Sequence, residues 1–278
     1  MKQIPLVGTF LLLAAFSLPV MVGCKQEPKK DNPTTTVPNK DGTAAKDYDG
    51  ALKGVIVGTV KFDGDAPKAE YDTRIGESKE KAMCEAGPAK HKNKQDWLVK
   101  DGNVENVIVS LKPKDGFKFK IDDALKTKYK KTVELDQPFC NYAPRVIGVY
   151  ADVQDLLVKN SAKVVHNTVI KGNDKINGKK DSGNIPAGES FKVGVLKMER
   201  EPMTVSCSMH GWMTGSVVTF DHPYFAVTGE DGKFRIENVP VGAELSVVYW
   251  HEQTKERVHA AAHTVTEGDN KIEIKIKN

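Results

Sequence analysis

The most informative part of the sequence is a short segment with three sulfur- or nitrogen-bearing side chain types, Cys207-Ser208-Met209-His210-Gly211-Trp212-Met213. It places a thiol, an imidazole and a thioether close together, just after the strand-like segment 203–207. A second imidazole lies upstream in another strand-like segment, Val164-Val165-His166-Asn167. One strand and one loop therefore supply four candidate metal ligands: His166, Cys207, His210 and Met213.

This combination of ligands favours copper. Cu(I) prefers sulfur and Cu(II) prefers nitrogen, so two His, one Cys and a weak axial Met form a compromise that suits both oxidation states. Because neither oxidation state obtains its ideal geometry, the ligands move little when the copper ion gains or loses an electron. We therefore expect the four side chains to hold one copper ion that can transfer electrons.

Three other interpretations of the same residues explain less. Zinc also binds Cys and His, but a thioether is a poor ligand for it, and the sequence lacks the paired C-x-x-C spacings of structural zinc sites. A nucleophilic Cys–His pair would require a third, orienting partner and would leave Met213 without a role. A buried Cys in a Met-rich core would account for a lone cysteine, but not for four ligands in this order.

A His-Asn pair on one strand, followed by Cys-x2-His-x2-Met on a loop before a final strand, resembles the cupredoxins. The short loop is similar to that of amicyanin-type members, and the resemblance covers 130–222, roughly a third of the chain. It implies a Greek-key β-sandwich with one mononuclear type 1 copper ion, in which Asn167 braces the ligand loop by hydrogen bonding. The sequence departs from the family pattern at Gly211, where amicyanin loops have Pro, and before Cys207, where the usual aromatic is missing.

The rest of the folded chain is also β-like. Short β-branched or alternating segments end at Gly, Pro, Asn or Asp turns, which is typical of sandwiches and barrels. We predict an all-β protein with strands in the segments 55–62, 104–111, 146–158, 163–170, 190–196, 203–207, 215–220, 234–236, 245–250 and 271–276. Helical patterns are limited to 77–86 and 122–130.

The segments on either side of the cupredoxin-like region resemble another family. They are similar to carboxypeptidase regulatory-like, transthyretin-type sandwiches at Gly58-Thr59-Val60, Asn106-Val107-Ile108-Val109, Asp231-Gly232-Lys233-Phe234-Arg235-Ile236 and Val239-Pro240-Val241-Gly242. Neither part alone has enough strands to bury a core. We therefore expect 54–113 and 223–278 to build one sandwich, with 114–129 as a lysine-rich connection and 130–222 inserted between them. The alternative is two consecutive domains.

The start of the chain resembles the signal peptide of a bacterial lipoprotein. An apolar run at 7–20, too short to span a bilayer comfortably, ends in Met21-Val22-Gly23-Cys24. The resemblance implies that the signal peptide is 1–23, that Cys24 carries lipid, and that the protein is attached to the cell envelope and faces the periplasm. Lys25 rather than Asp favours the outer membrane. The alternative is an ordinary signal peptide followed by a chance cysteine.

Two polar stretches are expected to lack a core. Residues 24–53 contain few apolar side chains and should form a flexible tether. The lysine-rich stretch 112–131 could dock an acidic partner, but such a run is more often a solvated, mobile connection. The whole chain has 41 basic and 37 acidic residues, a balance that does not call for a nucleic-acid partner.

The four cysteines can each be given a role. Cys24 is the predicted lipid site and Cys207 the predicted thiolate ligand, which leaves Cys84 and Cys140. In an oxidising compartment these two are expected to form one disulfide. The alternative is a pair of free, buried thiols.

The function expected from these features is electron transfer by a lipid-anchored copper protein to an unidentified redox partner protein. The alternative is a copper storage or delivery protein that uses the same ligands. A scaffolding module with a vestigial site is disfavoured because the ligand set is complete. Redox enzymes with cupredoxin folds need further copper ions held by His-x-His pairs, which are absent from the sequence, so we expect a protein that is not an enzyme.

Overall fold

β-Strands account for most of the regular structure of the described residues, so the predicted all-β class is confirmed. The computed structural model describes residues 44–277. The predicted signal peptide at 1–23, the predicted lipid site Cys24 and most of the predicted tether lie outside the described residues. Within 44–277, no helix is both long enough and apolar enough to cross a membrane.

The strands follow one another in chain order as β1 (Lys46–Tyr48), β2 (Gly54–Phe62), β3 (Val99–Lys100), β4 (Asn103–Val104), β5 (Ile108–Pro113), β6 (Phe117–Phe119), β7 (Thr132–Asp136), β8 (Val146–Tyr150), β9 (Asp155–Lys159), β10 (His166–Lys171), β11 (Lys179–Ile185), β12 (Ser190–Val195), β13 (Met203–Ser206), β14 (Thr214–Phe220), β15 (Phe225–Val227), β16 (Lys233–Val239), β17 (Glu244–Trp250), β18 (Val258–Thr264) and β19 (Gly268–Ile276). The helices are short: α1 (Thr73–Gly76), α2 (Lys81–Cys84), a 3-10 turn (Ala89–Lys92) and α3 (Asp123–Tyr129).

The middle of the chain forms what we call the inner sandwich, strands β7–β14. One of its sheets has five strands in the order β11-β10-β13-β14-β8, and the other has three in the order β12-β9-β7. Apolar side chains from both sheets share one buried core, among them Leu135, Val149, Val158 and Val217. Among the described strands, β7–β14 pair only with one another, so the two sheets of the inner sandwich are built from one continuous part of the chain.

The two flanking parts of the chain together form the outer sandwich, strands β2–β5 and β15–β19. In one sheet β2 pairs with β16 on one side and with β19 on the other, and in the second sheet β5 lies between β15 and β17. Their common core buries Val60, Leu111, Ile236, Val247 and Ile274. Strands that precede the inner sandwich in sequence and strands that follow it therefore contribute to the same two sheets.

The pairing of β2 with β19 follows from sequence pattern and from one close approach. In β19, Ile274 and Ile276 are buried while Lys275 is exposed, the period of two that a strand with one covered face requires. β19 runs parallel to β2 along its whole length. A Cβ atom at Gly58 in β2 would lie 1.9 Å from the carbonyl oxygen of Ile272, so a side chain there would push β19 away.

The two sandwiches meet across a small apolar contact of their own. It contains Ile108 and Trp250 from the outer sandwich and Val146, Val218 and Phe220 from the inner one. Beside it, Arg145 forms an ion pair with Glu252, and both side chains are largely buried. Ser216 Oγ also donates to Glu252, at 2.7 Å. The junction therefore combines apolar packing with a charge pair shielded from water.

The predicted tether at 24–53 extends too far toward the C-terminus. β1 pairs in parallel with β6, and the ring of Tyr48 stacks on Phe117 with their centroids 4.8 Å apart. The Tyr48 hydroxyl also donates to the carbonyl oxygen of Glu244. The polar composition of this stretch suggested a flexible chain. A single buried aromatic side chain, Tyr48, is enough to hold its C-terminal end against the outer sandwich.

The lysine-rich connection at 114–129 packs on the outer sandwich instead of remaining a mobile linker. Asp122 caps the N-terminus of helix α3, and its carboxylate accepts from the backbone N–H of Leu125 at 2.8 Å. Leu125 and Phe119 are buried in the core of the outer sandwich, while Lys120 is exposed. The lysines occupy the solvent face of a segment whose other face is apolar.

One part of the predicted sandwich segment 54–113 leaves the outer sandwich. We call residues 72–92 the cap segment; a bridge between Tyr71 and Asn93 closes its base. Ile75 and Cys84 in this segment are fully buried in the core of the inner sandwich. Cys84 forms a disulfide with Cys140, which precedes β8. Apolar burial and the crosslink both hold the cap segment against the inner sandwich.

The pairing of strands predicts how fragments will behave. The fragment 223–278 should show no cooperative thermal unfolding, because β16 and β19 lose β2, and β15 and β17 lose β5. The chain 44–278, which restores both partners, should unfold cooperatively in the same circular-dichroism experiment. A cooperative transition from 223–278 alone would contradict the proposed division of the outer sandwich between the two ends of the chain.

Stability should fall in mild acid because of His251. This side chain stacks on Trp97 with ring centroids 4.2 Å apart, and its burial, with a smaller effect of Arg145, lowers its pKa from the ordinary 6.5 to about 4. Below about pH 6.5 the unfolded chain binds a proton that the folded chain binds only near pH 4. The free energy of unfolding should therefore fall with pH in that window, by up to about 1.4 kcal/mol per pH unit for this group.

Urea unfolding of the metal-free protein between about pH 4.5 and pH 7 measures this slope. His251→Gln should reduce the slope without abolishing it, because His166, whose pKa is also lowered to about 4, contributes as well. His259→Gln, which replaces an exposed imidazole of the same sandwich, should leave the slope unchanged. Equal slopes in the His251→Gln variant and the wild type would show that His251 does not contribute.

Candidate metal centre

The strand order of the inner sandwich brings the candidate ligands to one end of one sheet. β10 pairs antiparallel with β13, so the start of β10, where His166 lies, is beside the end of β13. The ligand loop leaves β13 at that end and returns as β14, the next strand in the sheet. Antiparallel pairing therefore places His166 next to the loop that contains Cys207 and His210.

The ligand loop closes on itself through its backbone. The N–H of Cys207 donates to the carbonyl oxygen of Met213 at 3.1 Å, and the N–H of Met213 donates to that of His210 at 2.8 Å. A Cβ atom at Gly211 would meet nothing within 4 Å, so this position does not need glycine for steric reasons. The carbonyl of Gly211 accepts from Arg74 of the cap segment at 3.3 Å, a contact that holds this part of the loop.

The structure brings three of the four predicted ligands together. His166 Nδ1 lies 3.1 Å from His210 Nδ1, and Cys207 Sγ lies 3.9 Å from His210 Nδ1. All three side chains are buried. Two nitrogens that each bind one metal ion at about 2.0 Å are about 3 Å apart when their bonds diverge by roughly 100°. The spacing of the imidazoles therefore fits a single ion between them.

Met213 and Asn167 occupy the same region. Met213 is fully buried, in the apolar core that also contains Cys207. The side-chain oxygen of Asn167 accepts from the backbone N–H of Ser208 at 2.9 Å and lies 3.2 Å from Cys207 Sγ. Its amide nitrogen donates to Ser208 Oγ at 2.6 Å. Asn167 thus fixes the first turn of the ligand loop from the neighbouring strand.

The two imidazoles are neutral at pH 7, which is the protonation state that can bind a metal. Burial, with a smaller effect of the neighbouring His210, lowers the pKa of His166 to about 4. Burial also lowers the pKa of His210, although the Glu80 carboxylate acts in the opposite direction. Both rings are therefore neutral at pH 7, and a neutral ring can offer a nitrogen lone pair to a metal.

The cap segment covers His210, a feature that sequence reasoning missed. Only 2% of His210 is exposed, and its Nε2 lies 3.7 Å from a carboxylate oxygen of Glu80. The sequence contained one signal for this arrangement. If Cys84 and Cys140 form a disulfide, residues near 84 must lie beside the start of the cupredoxin-like region, wherever the rest of their segment folds.

Other clusters of potential ligands in the described part of the chain do not add to this centre. Besides His166, Cys207 and His210, only Cys84, Cys140 and His210 have ligand atoms within 4.8 Å of one another, and these two cysteines are joined in the disulfide. His251 and Glu252 do not form a site: the first stacks on Trp97 and the second pairs with Arg145.

Comparisons with known proteins find partial structural likeness. No protein-family model and no curated protein matches the chain. Over 32% of the chain, the structure resembles a purple cupredoxin from Nitrosopumilus maritimus with a TM-score of 0.27 and 18% identity, covering 99% of that protein. A reduced Cu(I) form of an amicyanin variant has a TM-score of 0.29 and 13% identity over 32% of this chain and 82% of its own.

A copper-containing nitrite reductase from Thermus scotoductus SA-01 also matches part of this chain in structure. Its TM-score is 0.28, with 15% identity over 32% of this chain, and the match spans only 22% of the reductase. The solved structures that this chain resembles thus include cupredoxins, and the likeness is confined to about a third of the chain.

Proposed function

We propose that the protein binds one copper ion through His166, Cys207, His210 and Met213 and transfers electrons through it. The observation that carries the proposal is the convergence of two imidazoles and a thiol from separate elements in a buried position. A buried thioether, Met213, lies in the same loop. Two nitrogens, one thiolate and a weak thioether form the ligand set that suits both oxidation states of copper.

The chain's own residues account for the properties that such a site needs. Cys207 supplies a soft sulfur donor when its thiol is deprotonated, and His166 and His210 supply neutral nitrogens. Asn167 holds the start of the loop, which limits how far the ligands can rearrange. The surrounding core excludes water, and copper bound there would supply a one-electron couple.

We further propose that the protein is a carrier, not an enzyme, with an unidentified redox protein as its partner. Among the described residues, His166 and His210 are the histidines of the cluster, and the cluster has enough ligands for one metal ion. The cell-envelope location and the lipid on Cys24 are also proposals, and both are supported by the sequence of residues 1–24.

Copper storage or delivery is the second candidate function, and the burial of His210 favours it. A carrier that exchanges electrons by docking at a ligand imidazole needs that ring near the surface, whereas only 2% of His210 is exposed beneath the cap segment. Burial suits retention of the ion. The reduction potential and the electron self-exchange rate separate the two functions, because slow self-exchange would favour storage.

Removing the thiol should abolish the colour of the copper-loaded protein. Wild-type protein titrated with Cu(II) should develop strong visible absorption from thiolate-to-copper charge transfer. Cys207→Ser should lose this band completely and keep the circular-dichroism spectrum of the wild type. Met209→Leu, an exposed position in the same loop, should keep the band. Retained colour in Cys207→Ser would exclude Cys207 as a ligand.

Replacing the proposed axial ligand should change the potential without removing the metal. Met213→Leu should still bind copper at a stoichiometry of one but have a higher reduction potential, because loss of a weak donor destabilises Cu(II) relative to Cu(I). Met209→Leu serves as the control in the same electrochemical measurement and should match the wild type. An unchanged potential in Met213→Leu would show that its sulfur does not contact the ion.

A further inference from the structure

The cap segment joins the two halves of the molecule at the metal centre. It leaves the outer sandwich after β2, and α1 and α2 pack on the inner sandwich before the chain returns at β3. Ile75 in α1 is fully buried in the same core as Met213 and Trp212. The apolar anchor of the cap segment therefore sits within the core that surrounds the candidate ligands.

The polar contacts between the cap segment and the ligand loop are few and largely exposed. Arg74 donates to the carbonyl of Gly211 at 3.3 Å, while its Nε donates to Asp72 at 2.8 Å. Its side chain is 56% exposed, and that of Glu80, near His210, is 44% exposed. Exposed contacts of this kind contribute little stability. They orient the cap segment but cannot by themselves keep it closed.

The strongest tie between the cap segment and the inner sandwich is covalent. The disulfide joins α2 to Cys140, and both cysteines are fully buried. Its sulfur atoms lie within 4.8 Å of a ring nitrogen of His210. Trp212, in the ligand loop, donates its indole N–H to the carbonyl of Cys140 at 2.9 Å. The crosslink thus lies directly against one candidate ligand and against the loop that supplies three of them.

We propose that the cap segment is a lid over the metal centre and that the Cys84–Cys140 disulfide holds it closed, so that the disulfide sets how fast a bound metal ion is lost. This inference rests on the proposed function, that the site binds copper. Because the cap segment covers His210, of which only 2% is exposed, opening this side of the site would give an ion bound to His210 a route to solvent. Opening is a local unfolding event, and a crosslink restricts the open state more than the closed one.

Breaking the crosslink should therefore open the lid without disturbing the strands that carry the ligands. In the double variant Cys84→Ser/Cys140→Ser, backbone amides of 74–86 should exchange with deuterium about tenfold faster or more, while those of β13 and β14 stay protected. This measurement uses metal-free protein, so it does not depend on copper binding. Lys81→Ala, an exposed change in α2 that keeps the crosslink, should exchange as the wild type does.

The copper-loaded proteins give the second readout. With an excess of a Cu(I) chelator, the reduced metal should leave the double variant about tenfold faster or more than it leaves the wild type or Lys81→Ala. Wild-type protein treated with a phosphine should reproduce the effect: the phosphine donates two electrons to the S–S bond, water supplies two protons and one oxygen, and the products are two thiols and a phosphine oxide. Thiol titration confirms that the bond has been broken.

The outcomes separate this inference from the proposed function. Absence of copper binding in the wild type would overturn the function, while amide exchange in the metal-free chain would still test the lid. Unchanged exchange at 74–86 and an unchanged rate of copper loss, with two thiols titrated beyond those of the unreduced protein, would overturn the lid. Faster exchange throughout the inner sandwich would also overturn it, because the crosslink would then stabilise the whole fold and not the cap segment.

Discussion

The ladder between β10 and β13 is the interaction on which the candidate metal centre depends. It aligns Val169, three residues after the start of β10, with Ser206 at the end of β13, and so it brings His166 beside a loop far along the chain. Neither the loop nor the strand contains a complete site. Asn167 reinforces the ladder where the backbone pairing ends, since its side chain continues the contact by bonding to Ser208. The geometry of the site is thus set at one end of two neighbouring strands inside the sheet.

The centre also depends on the part of the chain that was expected to belong wholly to the other sandwich. The cap segment begins and ends on strands of the outer sandwich, yet Ile75 and Cys84 are buried in the inner one. Contacts that join the two sandwiches include the apolar contact around Trp250, the Arg145–Glu252 pair and the cap segment. Of these, only the cap segment reaches the candidate ligands.

Much of this arrangement is readable in the sequence, and what is not has identifiable causes. The donor types at 166, 207 and 210 indicated a shared site because their chemistry is unusual in combination. β11 was missed because its residues, Lys179-Lys180-Asp181-Ser182-Gly183-Asn184-Ile185, are polar, and it is a strand only because its backbone pairs with β10. β18 was missed because Ala260, Ala261 and Ala262 give little alternation. The position of the cap segment could not be predicted. The amphipathic pattern of a short helix indicates that one face is buried, but it does not indicate which surface covers that face.

The parallel pairing of β2 with β19 has a consequence for the order in which the molecule can assemble. The strands of the inner sandwich are contiguous in sequence, so this part can fold as soon as β14 has been synthesised. The outer sandwich cannot close until residue 276 is available, because β2 would otherwise lack one of its two long neighbours. Contacts between segments so distant in sequence form slowly. Until the last strands have been synthesised, β2 and β5 therefore have unpaired edges and uncovered apolar faces. Misassembly is most favoured during this interval.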